Sequence, residues 1–230
     1  MSSRATPQGR TGSSDARTPS QLFAALADSR RRRIAASVRG RPDGLTVDEL
    51  TTFVASAETG VSLTDVTEAR YERVLVSLRH HHLPKFEEIG LLYRQDARIV
   101  PTDPAVFEDG LIDAVLGVEA PPAELDAALE LLASERRRIL IDRLRAEGTA
   151  SVEELAAAVA EARGEDSRNV HVSLVHTHLP RLDDEGVISE VTEEAPSGER
   201  RVRFEGLPAG GELFARLARL EDDLLPHVST

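Results

Sequence analysis

Apolar side chains recur at steps of four or eight along two stretches of the chain, and the stretches are copies of one another. The first copy holds Val74, Leu78 and Phe86, and the second, 96 positions later, holds Val170, Leu174 and Leu182. Steps that are multiples of four place side chains along one side of a helix. The pattern therefore predicts a long helix from about Thr67 to Glu88, and another from about Ser167 to Glu185. Such self-similarity indicates a duplicated structural unit.

A shared motif lies inside each predicted helix: His80-His81-His82-Leu83-Pro84, and His176-Thr177-His178-Leu179-Pro180. Proline lacks an amide donor and crowds the preceding turn, so we predict a kinked helix that continues past the proline. The alternative is that each helix ends at Leu83 or Leu179, because the residue before a proline disfavours the α conformation. We also expect an imidazole N–H to satisfy the carbonyl that the missing proline amide leaves open.

Glycine follows each helix, at Gly90 and Gly186. Glycine takes the left-handed conformation at a helix end without steric cost, so both helices should stop there. The residues that follow predict hairpins, a short one over 93–100 and a longer one over 190–204 with Pro196-Ser197-Gly198 at its tip.

Two shorter helices are predicted before each long one. Leu22–Ile34 and Leu129–Leu140 each predict an apolar helix followed by a run of arginines that Asp28 or Ser134 caps. The arginines could contact DNA, or form a solvated face with ion pairs to neighbouring acids. Next, Thr46 with Glu49, and Ser151 with Glu154, predict capping boxes.

Composition divides the chain into four parts. Residues 1–19 have hardly any large apolar side chain and predict a disordered tail. Residues 20–118 and 123–230 form the predicted first and second units, and 119–122 contain the prolines of a linker. We expect the units to pack as an internal pseudo-dimer. The chain ends in leucines spaced for a buried seam against a partner helix, such as the helix predicted over 103–117: Leu213, Leu217, Leu220 and Leu224.

Charge and composition limit the location and the partners. Lys85 is the only lysine beside 27 arginines and 40 acids. The excess of arginine over lysine could reflect a GC-rich genome; together with the acidity and the lack of tryptophan, it resembles the composition of proteins from salt-loving archaea. The net charge of −12 argues against DNA binding, although salt weakens that objection. Cysteine is absent, and there is neither a signal segment nor a run long enough to span a membrane, so we expect a soluble cytoplasmic protein without disulfides.

The order of helices followed by a hairpin resembles a winged helix-turn-helix domain, present twice. Leu26-Ala27-Asp28 with the following arginines is similar to the first helix of the ArsR family of regulators. The His-x-His-Leu-Pro motif is similar to that of an uncharacterised haloarchaeal winged-helix family. The resemblance implies a mainly α fold with small β-hairpin wings, two tandem winged helix-turn-helix domains, and a role in transcription as a binder of double-stranded DNA.

Three other functions compete with DNA binding. No phosphate loop, zinc-protease motif or nucleophile elbow is present, so we expect neither an enzyme nor a cofactor. A metal site at His80 and His82 is disfavoured, because residues two apart on a helix point about 200° apart. A winged-helix module for protein–protein contact, without DNA binding, stays open as the alternative.

The predicted DNA-binding residues belong to the first unit: Arg70, Arg73, Ser77, Arg79, Arg94 and Arg98. Residues 1–118 carry 15 basic and 16 acidic side chains, whereas 119–230 carry 13 and 24. Since DNA affinity depends on neutralised phosphates, we expect the first unit to bind DNA. The second offers only Arg168, Asn169 and Ser173 at comparable places. The competing interpretation pairs Arg70 and Arg73 with Glu68 and Glu72 as surface ion pairs.

Overall fold

A computed structural model describes residues 17–108, 110–191 and 200–217. The described chain is mainly helical with two small antiparallel sheets, as predicted from the sequence. The elements of the first half are α1 Pro19–Leu26, α2 Ser29–Val38, β1 Leu45–Thr46, α3 Val47–Thr59, α4 Glu68–Ser77, α5 Leu83–Glu88, β2 Leu92–Gln95, β3 Arg98–Pro101 and α6 Gly110–Leu116. Those of the second half are α7 Pro122–Leu132, α8 Glu135–Glu147, β4 Thr149–Ser151, α9 Val152–Arg163, α10 Ser167–Ser173, α11 Leu179–Asp184, β5 Ile188–Glu190, β6 Arg201–Phe204 and α12 Gly210–Leu217.

Side-chain caps fix where the helices begin. The capping boxes at Thr46 and Ser151 are present, each with its glutamate bonded back to the cap residue, and the predictions for both helices are confirmed. Helix α1 begins at Pro19, inside the segment predicted to be disordered. It does so because Thr18 forms a capping box there, while Nε of Arg17 donates to the carbonyl of Ile89 at 3.1 Å. Residues 1–16 of that predicted tail lie outside the described residues.

The long helix of each half contains a π-helical turn just before its proline. In the first half, α4, the turn Leu78–His82 and α5 follow one another without a break, and the N–H of Leu83 donates to the carbonyl of Leu78. The second half repeats this arrangement with the turn Leu174–His178 between α10 and α11. A wider turn gives the proline ring room that an α-helical turn would deny it. The prediction that the helix continues past the proline is confirmed, and the alternative end at Leu83 is wrong.

Each half carries one three-stranded sheet. The strand orders are β1-β3-β2 and β4-β6-β5, with every pair antiparallel. Gly90 and Gly186 adopt φ of 67° and 66°, as predicted, and turn the chain from the long helix towards the hairpin. The predicted tip of the second hairpin, residues 196–198, lies outside the described residues.

The two halves share one apolar core. Helix α1 packs against α7, and α6 packs against α12. Leu213 and Leu217 are buried at 0% and 3% exposure, as the predicted seam requires, and α6 is their partner helix. Leu220 and Leu224 lie outside the described residues. None of the described helices is long and apolar enough to cross a membrane.

Candidate nucleic-acid interface

The exposed side of the long helix is set by its buried side. Val74, Leu78 and Phe86 are 0% exposed, which confirms the predicted apolar stripe. The opposite side is therefore held towards solvent, and it presents Arg73, Val76, Arg79, His80 and His81 as exposed residues. Val76 is 57% exposed, and its equivalent in the second half, Val172, is 55% exposed. The two valines lie at equivalent places in the two copies, and no pattern in the sequence indicated that they would be exposed.

Arg70, a predicted DNA contact, lies in a structural ion pair. Its Nη2 contacts the carboxylate of Glu58, whose side chain is only 7% exposed and which also accepts a hydrogen bond from Nη2 of Arg30 at 2.9 Å. Burial raises the pKa of Glu58, but the hydrogen bond from Arg30 and the charges of Arg30, Arg70 and Arg33 outweigh it and lower the pKa. The competing interpretation had named Glu68 as the partner. An ion pair is present, but it forms with Glu58 at the end of α3.

The two hairpin arginines also have internal acceptors. Arg94 Nε lies 2.6 Å from a carboxylate oxygen of Glu87 at the end of the long helix. Arg98 donates to the backbone carbonyls of Asp43 and Gly44, at 2.9 and 2.7 Å. Both side chains belong to exposed residues, and both guanidiniums help to hold the hairpin against the rest of the half.

Arg73 and Arg79 are the predicted arginines whose charge is least engaged. Arg73 donates from Nε to the carbonyl of Ala69 at 3.1 Å, within its own helix, and forms no ion pair with Glu72 among the described contacts. Arg79 is exposed six residues further along, in the π turn. Ser77 is half-buried between them. Arg73 and Ser77 therefore lie on α4, and Arg79 lies in the π turn that continues it, whereas Arg94 and Arg98 lie on the hairpin. Arg70 also lies on α4, but its guanidinium is bound by Glu58.

The second half presents a different set on the same helix surface. Arg168 and Asn169 are exposed in the first turn of α10, directly after Asp166, which caps the helix through the amide of Asn169. Ser173 accepts a hydrogen bond from Nη1 of Arg136 at 2.9 Å. Its hydroxyl is thus tied to the interior side of the helix.

The arginine runs cap the helices that precede them. Arg31 donates to the carbonyls of Ala24 and Ala25 at the end of α1. Arg137 repeats this at the end of α7, donating to the carbonyls of Glu130 and Leu131. Carbonyls at a helix end have no partner within the helix, and a guanidinium with several donors satisfies them. Arg31 and Arg137 therefore take part in helix packing, while Arg30 and Arg136 of the same runs form the expected ion pairs with acids, Glu58 and Glu165.

The side chain of the third arginine in each run forms a hydrogen bond with the other half. Arg32 donates to the carbonyl of Leu26 in its own half and to a carboxylate oxygen of Asp126 on α7, at 2.9 and 2.5 Å. Arg138 donates to the carbonyl of Leu132 and to the hydroxyl of Ser20 on α1, at 2.7 and 3.1 Å. Ser20 and Asp126 lie 106 positions apart, as do Arg32 and Arg138. The contacts are therefore reciprocal, as in an internal pseudo-dimer.

His82 and His178 are buried, each at 8% exposure, with an Nδ1 that has no hydrogen-bond partner. That atom does not cap a helix carbonyl, so the expected imidazole cap is not formed through it. Nδ1 of His82 lies 3.6 Å from the Asp28 carboxylate. Burial lowers the pKa of both rings: Asp28 partly offsets it for His82, whereas Arg137 and Arg136 lower the pKa of His178 further. His80 is exposed on the other side of the helix, and the described residues contain no group of three or more metal-ligating side chains.

Two segments of the chain, residues 23–101 and 129–195, match the family model described as "Domain of unknown function (DUF7344)". These segments coincide with the two structural copies described above. No curated protein and no solved structure matches the chain.

Proposed function

The chain belongs to the DUF7344 family, and from this premise we propose that it is a DNA-binding transcriptional regulator made of two winged helix-turn-helix units. DNA is contacted mainly by the first unit, through the exposed side of its long helix. The observation that carries the proposal is the repeated arrangement of that helix. In each half, one side of it is buried in the core while the other side is open to solvent beside an antiparallel hairpin. A helix held in this way can enter a major groove.

Arg73 and Arg79 carry the contact in this proposal. Both lie on the exposed side of the helix, and neither guanidinium is neutralised by a carboxylate among the described ion pairs. Arg70, Arg94 and Arg98 support the helix and the hairpin instead, because their donors are used by Glu58, Glu87 and backbone carbonyls. Two likenesses belong to the same proposal: that of Leu26-Ala27-Asp28 and the following arginines to the ArsR family, and that of the His-x-His-Leu-Pro motif to a haloarchaeal winged-helix family.

The test is a gel-shift assay of the full chain against the DNA upstream of its own gene. We expect the intact protein to retard a fragment, and Arg73→Gln/Arg79→Gln to lose most of that binding. Arg203→Gln is the matched control, since Arg203 is an exposed arginine on β6 of the second half. Retardation by the double variant equal to that of the intact protein would refute the assignment of these residues.

A second candidate function is contact with another protein, without DNA. Val76 and Val172 favour it, because an apolar side chain more than half exposed at the same place in both copies suits a protein surface. If no upstream fragment is retarded, and Val76→Ser/Val172→Ser disrupts a complex isolated with the intact chain, this function replaces the first.

A further inference from the structure

Arg33 differs from the other arginines of its run. Arg30 is bound by Glu58, and Arg31 and Arg32 donate to the carbonyls at the end of α1. Arg33 donates only to the hydroxyl of Ser29, from Nη1 at 3.3 Å, among the described contacts. The equivalent residue of the second half is Ile139, which is 1% exposed. The shared fold therefore does not need a guanidinium at this position.

The Arg33 side chain lines a cleft of about 240 Å³ where α2, the end of α6 and the start of α7 meet. The walls are mostly apolar, and the residues that matter here are Ser29, Arg32, Arg33, Val115, Leu116 and Leu125. Arg32 already donates from both Nη atoms, to the carbonyls of Leu26 and Pro122 and to Asp126. Arg33 is thus the arginine of this cleft whose N–H donors are largely unused among the described contacts.

The surroundings of Arg33 are positive, although the chain as a whole is acidic. The charge of Arg33 acts on Glu58, a carboxylate that already binds Arg30 and Arg70. One carboxylate is shared among three guanidiniums, so an anion at Arg33 adds a missing negative charge. The guanidinium is planar and can donate two parallel hydrogen bonds, which suits an anion with two acceptor oxygens.

We propose that the cleft is a binding site for a short aliphatic carboxylate, with Arg33 holding the carboxylate group and the apolar walls holding the chain. A DNA phosphate fits less well, because the walls that α6 and α7 place beside the guanidinium are apolar. The ligand contacts α2 of the first half and α7 of the second, and so bears on the contact between the halves.

Calorimetric titration of the full chain with hexanoate tests the site, with hexanamide and inorganic phosphate as comparison ligands. We expect one hexanoate per chain, and binding about tenfold weaker or worse for Arg33→Ile, which installs the residue of the second half. Arg203→Gln should bind as the unmodified chain does. Hexanamide lacks the charge and phosphate lacks the apolar chain, so both should bind more weakly than hexanoate.

An unfolding curve for Arg33→Ile shows whether that variant is folded. Arg33→Lys provides a second test: its hexanoate affinity should lie between those of the unmodified chain and Arg33→Ile, because the charge stays and the planar guanidinium is lost. Equal hexanoate affinity in the unmodified chain and a folded Arg33→Ile overturns the proposal. So does phosphate or hexanamide binding as tight as hexanoate, or the absence of hexanoate binding to the unmodified chain. These measurements do not involve DNA, so they stand or fall separately from the proposed regulator.

Discussion

The two halves have the same core but neutralise their arginines differently. Arg30 and Arg136 occupy equivalent positions, and each is bound by a glutamate. In the first half the glutamate is Glu58, from the last turn of α3. In the second it is Glu165, from the loop after α9, at a place that does not correspond to Glu58. The residue that does correspond to Glu58 is Arg163, which itself binds Glu165. The long helices thus bury apolar side chains at equivalent positions in both halves, whereas these ion pairs are formed by glutamates at positions that do not correspond.

This comparison indicates which part of the molecule is free to diverge. The core residues Leu78 and Leu174, Leu83 and Leu179 are 0–1% exposed in both halves, because a cavity or an overpacked side chain there would be costly. Exposed charges cost little to change. The second half has accordingly become far more acidic than the first, with 24 acids to 13 basic residues. If the halves bind different partners, the difference arises from their surface charges, because their fold is the same.

The largest effects should come from the shared core. Phe86→Ala and Leu182→Ala truncate equivalent side chains that are 0% exposed. We expect each to lower the free energy of unfolding by about 3–5 and about 2–5 kcal/mol respectively. Because the halves share one core, chemical denaturation followed by circular dichroism should show a single shifted transition in both variants. Two transitions, of which only one moves, would show that the halves unfold separately.

A smaller effect should separate the two glutamates. The Glu58 side chain is 7% exposed and that of Glu165 is 25% exposed. Glu58→Gln leaves two half-buried guanidiniums without their carboxylate, so we expect a loss of about 2 kcal/mol. Glu165→Gln should cost less than Glu58→Gln does, and this loss should shrink as salt is added. Equal costs for the two substitutions, measured by urea denaturation, would contradict the difference in burial.

The smallest effect concerns the two buried histidines. Their pKa values are lowered from 6.5 in the folded chain, so the unfolded chain binds protons first as the pH falls. Stability is therefore full above about pH 6.5 and decreases as the pH falls below it. For His82 the charge of Asp28 partly offsets the effect of burial on the pKa, while Arg30, Arg31 and His81 lower the pKa further. For His178 the charges of Arg137 and Arg136 add to burial, and among the described residues no carboxylate is found to offset it.

We expect His178→Leu to reduce the pH dependence of the unfolding free energy more than His82→Leu does, because no carboxylate offsets the cost of protonating His178. Denaturation curves of the unmodified chain and both variants at about pH 8 and about pH 5 would measure it. A larger reduction from His82→Leu would show that Asp28 does not offset the cost at that site.

Helices, caps and strands followed from local patterns in the sequence. Each of these patterns acts within a few residues, so it can be recognised directly in the sequence. Examples are the step of four from Val74 to Leu78, the capping box of Thr46 and the glycine at position 90. The roles of Arg31, Arg32 and Arg70 did not follow, since a guanidinium can reach carbonyls or carboxylates that are distant in sequence. Arg32 and Asp126, for example, are 94 positions apart. The π turn was expected only as a kink, because proline indicates a distortion without fixing its form.

Salt dependence of DNA binding tests the assignment of DNA contact to the first half most directly. Fluorescence anisotropy with a retarded upstream fragment would compare the intact chain with Arg73→Gln/Arg79→Gln and with Arg168→Gln, which changes an exposed arginine in the first turn of α10 in the second half. If Arg73 and Arg79 contact phosphates, the double variant should lower the slope of log affinity against log salt by about 2 in magnitude. Arg168→Gln should leave the slope nearly unchanged. An unchanged slope in the double variant, together with loss of binding in Arg168→Gln, would contradict the assignment.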